Sequence, residues 1–160
     1  MIRSPLFVRT MVLYTAGRTT TYPPTPPSEG VRFHFLGGAQ EVGNVGCVIE
    51  DHTGMRLLID YGLAPTRPPK YPTEAPSVSD VILTHAHIDH IGMVPWLASA
   101  YGTRIHGSAL TAAVSEIMWS DTYKVSDIEG YPLGWDKRDM ETALDSWVTH
   151  ELGHWFEVGT

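Results

Sequence analysis

The stretch Thr84-His85-Ala86-His87-Ile88-Asp89-His90 decides the interpretation of this sequence. It ends a short apolar run, residues 80–84, that is typical of a buried strand, and it precedes residues 91–101, which are typical of a helix. Four side chains that can bind a metal ion fall within six residues: His85, His87, Asp89 and His90. A polar turn with surface histidines is the ordinary alternative. Three histidines and an aspartate directly after an apolar strand favour a metal site instead.

The spacing of these side chains suits two metal ions. At a strand end, residues i and i+2 point to the same side, so His85 and His87 can hold one ion. The chain then turns, and Asp89 and His90 can face a second ion. Imidazole and carboxylate ligands suit zinc, and also manganese or iron. Two ions about 3.5–4 Å apart can share a hydroxide and stabilise both the attacking and the leaving oxygen, which is hydrolase chemistry.

Composition limits the class of protein. The chain has 160 residues, of which 42% are hydrophobic and 18% charged, as in a globular domain. The formal net charge of −7 argues against capture of nucleic acid by a broad basic surface, although metal ions or a local groove can attract phosphates. The single cysteine, Cys47, excludes a disulfide within the chain and fits a reducing compartment, so we expect a cytoplasmic protein. No stretch reaches the roughly 20 apolar residues of a membrane span, so we expect no membrane association.

The sequence predicts an α/β fold in two segments. Residues 1–30 include a Pro- and Thr-rich run and are expected to form an extended or disordered leader. Residues 31–160 are expected to form a partial domain. Hydrophobic patterns and turn residues predict six strands, at 31–36, 44–50, 55–60, 80–84, 104–106 and 154–158. They also predict three helices, at 91–101, 108–124 and 136–148.

The histidine stretch resembles the HxHxDH signature of the metallo-β-lactamase superfamily. Asp60, at the end of the predicted strand 55–60, matches an earlier conserved aspartate of that superfamily. The resemblance implies that Asp60 supports the ligand loop without binding metal itself. A turn aspartate before Gly62 is the ordinary alternative. The resemblance also implies a zinc cofactor, with manganese or iron as alternatives.

Two further stretches resemble the β-CASP nucleases, the branch that includes ribonuclease J and the nuclease of the polyadenylation machinery. Residues 36–43 (LGGAQEVG) resemble its glycine-rich loop, and residues 89–97 (DHIGMVPWL) resemble its DHxGxxPxL continuation. The resemblance implies hydrolysis of RNA phosphodiesters, with Asp89 as a catalytic residue that orients the hydroxide. It places Gly38 and Glu41 at the rim of the substrate cleft. An ordinary strand connection explains these two residues equally well.

Downstream of the histidine stretch, the sequence departs from the family. Family members complete the site with later histidines and a bridging aspartate, and residues 85–90 supply about half of the ligands. His154, in Gly153-His154, superficially resembles a later ligand but precedes a predicted strand instead of coming after one. His34, His52 and His106 are expected to be surface or structural residues, and His150 is an even weaker ligand candidate than His154.

We therefore expect the N-terminal half of an αββα metallo-β-lactamase sandwich, apparently truncated, with an incomplete active site. Such a chain would expose apolar faces and associate with a complementary half of the fold or with itself. Two other functions remain open. One is a small-molecule metallo-hydrolase such as a thioesterase of the glyoxalase II type. The other is an inactive metal-binding fragment or subunit.

Overall fold

A computed structural model describes residues 25–72 and 76–159 of the protein. Of the leader predicted at residues 1–30, residues 1–24 lie outside this described part. Residues 25–30 contain neither helix nor strand. No helix in the described ranges is both long enough and apolar enough to cross a membrane.

The described part contains strands and helices in the order of an α/β fold, which confirms the predicted class. The strands are β1 (Val31–Gly37), β2 (Gly46–Asp51), β3 (Arg56–Ile59), β4 (Asp80–Ile82), β5 (Arg104–Gly107) and β6 (Trp147–Thr149). The helices are α1 (Ile88–Ile91), α2 (Val94–Tyr101), α3 (Ala109–Glu129) and α4 (Lys137–Asp145).

All six strands form one sheet, in the order of the sequence. The first three strands pair antiparallel, and β3 to β6 pair parallel. The β4–β5 connection contains α1 and α2, and the β5–β6 connection contains α3 and α4. Parallel crossovers are right-handed, so two crossovers that advance in the same direction place their helices on the same face of the sheet.

The two faces of the sheet differ accordingly. Val48, Leu58, Val81 and Ile105 pair across neighbouring strands on the helix side, and each is fully buried. The opposite face, here called the open face, carries apolar side chains that remain half-buried or exposed: Phe33, Phe35, Cys47, Ile49, Leu57, Ile59 and Ile82. Phe33 and Phe35 are 59% and 60% exposed, which shows that no described element covers this side of β1.

The sequence-based elements differ from the structure mainly at the C-terminal end. The predicted strand at 154–158 is wrong, because these residues pair with no strand. The last strand of the described part is instead β6, which overlaps the end of the helix predicted at 136–148. The helix ends at Asp145, and the β-branched and aromatic residues after it pair with β5. Helix α3 continues beyond residue 124 to Glu129, where Gly130 adopts the left-handed conformation that closes a helix.

Smaller differences surround the histidine stretch. The predicted helix 91–101 is two helices, α1 and α2, with Gly92 and Met93 between them. The segment 62–77 contains several prolines, which predict a surface loop, but Leu63 and Ala64 are buried in the core. Cys47 is half-buried on the open face, and burial raises the pKa of its thiol.

Candidate metal centre

Asp60 links the strand ends that position the histidine stretch. It comes directly after β3 with a positive φ of 57°, a conformation that Asp tolerates better than most residues, and its backbone N–H donates to the Ile82 carbonyl at 3.0 Å. Its buried carboxylate accepts the Thr84 backbone N–H at 2.8 Å and the Thr84 hydroxyl at 2.7 Å. Asp60 Oδ2 also lies 2.7 Å from His90 Nδ1. One carboxylate therefore holds both ends of the stretch.

The five side chains Asp60, His85, His87, Asp89 and His90 form what we call the motif cluster. His85 Nε2 and His87 Nδ1 lie 3.0 Å apart, with their rings at 76°. An ion about 2.0–2.1 Å from each nitrogen would subtend an angle of about 90–100° between them, somewhat below tetrahedral. His90 Nε2 and Asp89 Oδ2 lie 3.8 Å apart and form a second pair of donors.

The hydrogen bond to Asp60 determines which nitrogen of His90 can bind metal. An acceptor carboxylate at Nδ1 requires the proton there, which leaves the lone pair on Nε2. A metal-binding imidazole usually donates the N–H of its other ring nitrogen to a carboxylate, as His90 does to Asp60. The supporting role of Asp60 toward a metal site stays a prediction.

Backbone contacts hold the turn that carries Asp89. The Asp89 carbonyl accepts Val45 N–H at 2.9 Å, and the His90 carbonyl accepts Tyr61 N–H at 2.7 Å. Gly62 packs directly beneath the turn, and a Cβ there would lie 1.6 Å from the Asp89 carbonyl oxygen. Gly62 is therefore required by close approach of two backbone segments.

Two tryptophans fix the segment immediately after the histidine stretch. The buried indole of Trp119, on α3, donates to the Ile91 carbonyl at 3.0 Å. Trp135 donates to the Gly92 carbonyl at 2.7 Å. Sequence reasoning did not find these contacts, because they join positions far apart in the chain.

The glycine-rich loop lies against the same region. Asn44 is buried, donates to Glu41 Oε1 at 3.1 Å and accepts Ala64 N–H at 2.7 Å. Glu41 also lies 3.8 Å from Lys70 Nζ, and Gly38 has a positive φ of 79°. Because Val45 bonds to Asp89 just beyond this loop, the loop and the motif cluster are neighbours. Contact of Gly38 or Glu41 with a substrate stays a prediction.

The local electrostatics favour a neutral imidazole at His85. Burial lowers the pKa of His85, and the positive charges that His90 and His87 would carry lower it further. Neutral imidazole is the form that binds a metal ion. The donor types therefore fit zinc. However, within the described ranges no three or more His, Cys, Asp or Glu side chains are arranged to hold one metal ion. The motif cluster offers donors in pairs.

A second group of side chains, the face cluster, lies on the open face: the titratable Asp80, Arg104, His106 and His150, with Phe156 stacked on them. His106 is buried, with Nε2 at 2.8 Å from Asp80 Oδ1 and Nδ1 at 2.8 Å from His150 Nε2. Arg104 Nε lies 2.9 Å from the same Asp80 oxygen. Phe156 stacks on His150 with ring centroids 3.6 Å apart. His106 is thus a buried structural histidine, and its surface alternative is wrong.

The remaining histidines stand apart from the motif cluster. His154 is 72% exposed at its side chain and lies 3.9 Å from Glu151, which agrees with its weak standing as a ligand candidate. His52 is exposed in the β2–β3 turn, and His34 is half-buried on β1.

The sequence matches the family model of the metallo-beta-lactamase superfamily over residues 41–157, which is more than half of the chain. The protein belongs to this superfamily. The family recognised from the histidine stretch is thereby confirmed.

Relatives with similar sequences indicate to which branch of the superfamily the chain is similar. Transcription termination factor FttA of Lokiarchaeum sp. is 31% identical over 142 residues, which cover 83% of this chain and 22% of the relative. Cleavage and polyadenylation specificity factor 73 of Drosophila melanogaster is 26% identical and covers 76% of this chain and 19% of the relative. An RNase J-like protein of Methanocaldococcus jannaschii is 32% identical over 62% of this chain. The protein is similar to nucleases of the group that the glycine-rich loop indicated, and it spans about a fifth of their length.

Solved structures of similar proteins include an archaeal metallo-beta-lactamase superfamily protein from Sulfolobus tokodaii. It is 18% identical, with a TM-score of 0.41, and the match covers 82% of this chain and 52% of that one. A B3 metallo-beta-lactamase with an active-site glutamic acid is 20% identical, with a TM-score of 0.39, and the match covers 71% and 42%.

Proposed function

We propose that the protein is a metal-dependent hydrolase that cleaves RNA phosphodiester bonds when its active site is complete. The observation that supports this most strongly is the Asp60 carboxylate, which holds Thr84 and His90 and leaves His90 Nε2 available for a metal ion. The structural His106 also bonds a buried carboxylate, Asp80, but its second ring nitrogen is bonded to His150, whereas His90 Nε2 faces Asp89 at 3.8 Å. The similarity to termination and polyadenylation factors supports RNA as the substrate.

Each motif side chain has a role in this proposal. His85 and His87 would hold one zinc, manganese or iron ion, and Asp89 and His90 would hold the other. When bound, such ions activate water and neutralise charge on phosphate oxygens. Asp89 would also accept a hydrogen bond from the attacking water and orient it. Asp60 would position His90, and Thr84 would anchor Asp60.

We propose that the glycine-rich loop, residues 36–43, forms the rim of the substrate cleft. Val42 at its tip is 94% exposed, while Asn44 and the backbone of Gly43 are held against Ala64. A loop that is exposed at its tip and fixed at its base can present backbone groups to a ligand. Gly38 and Glu41 would lie along that rim.

A second candidate function is a metal-binding part that does not catalyse hydrolysis by itself. It is favoured by the pairwise arrangement of donors, since no three described donors converge on one point. Two tightly bound ions per chain would argue for a full site. One weakly bound ion would favour this second candidate.

The open face supports a proposal about partners. We infer that residues 31–160 are one part of a larger αββα unit, and that a second β-sheet covers the open face. Aromatic side chains exposed on alternate positions of β1, Phe33 and Phe35, suit such sheet packing. The other partner considered is a second copy of this chain. A monodisperse monomer that unfolds cooperatively would contradict both. The single cysteine is compatible with a reducing, cytoplasmic setting.

A chimera tests the proposed activity with a complete domain. The matching 142-residue stretch of the Lokiarchaeum relative would be replaced by this chain, and cleavage of a labelled RNA would be measured with zinc or manganese. We expect cleavage that a strong chelator removes. His87→Ala should abolish cleavage while leaving the circular dichroism spectrum unchanged.

The same chimera distinguishes RNA from small substrates. Turnover of a thioester in place of RNA would favour the glyoxalase II type of enzyme. RNA cleavage that persists in the chelator, or in the His87→Ala chimera, would contradict the metal-dependent mechanism. His52→Ala, in an exposed turn, is the matched control because it removes an imidazole remote from the motif cluster.

A further inference from the structure

A cleft of about 470 Å³, whose lining includes no residue of the motif cluster, opens at the C-terminal end of α3. The residues that line it include Tyr123, Tyr131 and Trp135 and the acids Asp127 and Asp136, of which Asp136 also caps α4. None of the described residues that line it is a lysine or an arginine. The composition of the walls therefore favours a cation over an anion.

The helix end strengthens this preference. Helix α3 is 21 residues long, and its last carbonyls carry the negative end of the helix dipole. Cations are the usual residues at such an end, but the last turn of α3 contains no basic residue. It contains Asp127 and Glu129 instead. Glu129 is paired with Arg67 at 3.2 Å, whereas Asp127 is an exposed carboxylate in the cleft wall.

One cation of the chain already lies beside the cleft. The Lys137 ammonium lies 5.4 Å from the centroid of the Tyr123 ring, within the range of a cation–π interaction. Lys137 is the first residue of α4, where the positive end of the helix dipole disfavours a cation. Asp127, near the C-terminal end of α3, and Lys137, at the N-terminal end of α4, each interact unfavourably with the dipole of their own helix. A site selected for cation binding explains such a departure from ordinary helix ends.

We propose that this cleft binds the guanidinium or ammonium group of a basic side chain presented by a partner polypeptide. The cation would stack on Tyr123 or Tyr131, with its charge toward Asp127 and the α3 carbonyls. Lys137 competes for the Tyr123 ring. The proposal is independent of the hydrolase activity, because none of these residues belongs to the motif cluster.

The test uses N-acetyl-arginine amide as the probe and the neutral isostere N-acetyl-citrulline amide as the control ligand. Binding to the full chain is followed by amide NMR shifts of residues 123–136. We expect the arginine compound to shift the signals of these residues in a saturable, concentration-dependent way, as for a weak cation–π contact with a nearby carboxylate. The citrulline compound should bind at least about 3-fold more weakly.

Two variants sharpen the test. Asp127→Asn should weaken binding about 3-fold, and Lys137→Met should strengthen it about 2-fold, because each removes one charge of known sign at a helix end. Neither change should unfold the protein, since each relieves an unfavourable interaction with the helix dipole. Glu116→Gln, at an exposed position of α3 outside the cleft, removes the same charge as Asp127→Asn and should leave binding unchanged.

Three results would overturn the proposal. The first is an absence of shifts in residues 123–136 up to the solubility limit of the probe. The second is equal binding of the arginine and citrulline compounds, which would indicate contact without charge recognition. The third is equal weakening by Asp127→Asn and Glu116→Gln, which would indicate only a long-range effect of net charge.

Discussion

The motif cluster and the face cluster both combine histidines with aspartate, but they differ in how their imidazoles contact each other. His106 and His150 are nearly coplanar, at 14°, with centroids 5.1 Å and nitrogens 2.8 Å apart. That centroid separation is close to the largest this nitrogen distance allows, so the rings lie end to end. A proton fits between such nitrogens, whereas an ion needs about 2.0–2.1 Å to each of them.

His85 and His87 meet at an angle instead. Their centroids are 4.6 Å apart although their nitrogens are 3.0 Å apart, and His87 is exposed. In the face cluster, Asp80 and His150 occupy both ring nitrogens of His106. In the motif cluster, the carboxylate of Asp60 occupies only one nitrogen of His90. His85 and His87 contact each other at an angle between their rings, whereas His106 and His150 lie end to end, and this difference in ring geometry makes the motif cluster the better candidate metal site.

The largest effect should come from Gly62→Ala, which disrupts the motif cluster alone. The new Cβ would lie 1.6 Å from the Asp89 carbonyl oxygen, so one of the two backbone segments must move. We expect a loss of about 3 kcal/mol or more in the free energy of unfolding, measured with urea.

Gly102→Ala is the control for that experiment. Gly102 has a positive φ of 67° but nothing within 4 Å of the added Cβ, so only conformational strain is added, at about 1 kcal/mol. Equal losses for the two variants would contradict the close approach at Gly62. In both variants the His106 and His150 ring signals in NMR spectra should stay in place.

Asp60→Asn should have the next largest effect. The amide keeps the shape of the side chain but can accept with only one of its two polar atoms, and it loses the charge-assisted bond to His90. We expect zinc affinity to fall about 10–100-fold, measured by competition with a chromophoric chelator. Unchanged affinity would show that Asp60 is an ordinary turn aspartate. Asp80→Asn, the same change in the face cluster, should leave zinc affinity unchanged.

The smallest effect concerns the pH dependence of stability. Burial lowers the pKa of His150 from its usual 6.5, and the charge of neighbouring His106 lowers it further. The unfolded chain therefore binds a proton at His150 more readily than the folded chain, so stability should fall as the pH decreases below about 6.5. We expect His150→Gln to reduce this slope in urea denaturation at several pH values. A slope identical to that of the parent protein would contradict a half-buried His150 that stays neutral in the folded chain.

Local features of this fold were accessible from sequence, and nonlocal ones were not. The histidine stretch, its strand and Asp60 could be located because hydrophobic runs and short spacings carry the signal. Strand β6 was missed because three residues, Trp147–Thr149, are specified by their pairing with β5 rather than by a local pattern. The bond between His106 and Asp80 joins neighbouring strands 26 residues apart, so its two partners give no joint signal in the sequence.

The start and the end of a helix also differ in how well the sequence predicts them. Asp136 was recognised as the start of α4, and its side chain accepts the Arg138 and Asp139 backbone N–H groups. The predicted end of α3 lies too early because the last turn is mostly polar and its one apolar residue, Ile128, is exposed. Polar residues favour neither continuation nor termination of a helix, and Gly130 provides the actual stop.

Zinc binding by the full chain tests the central claim most directly. Equilibrium dialysis would compare the parent protein, the double variant His85→Ala/His87→Ala, and His150→Gln. We predict that the parent and His150→Gln bind zinc with equal stoichiometry, and that the double variant loses at least one ion while remaining folded. Equal binding by all three proteins, or loss only in His150→Gln, would show that the motif cluster is not the metal site.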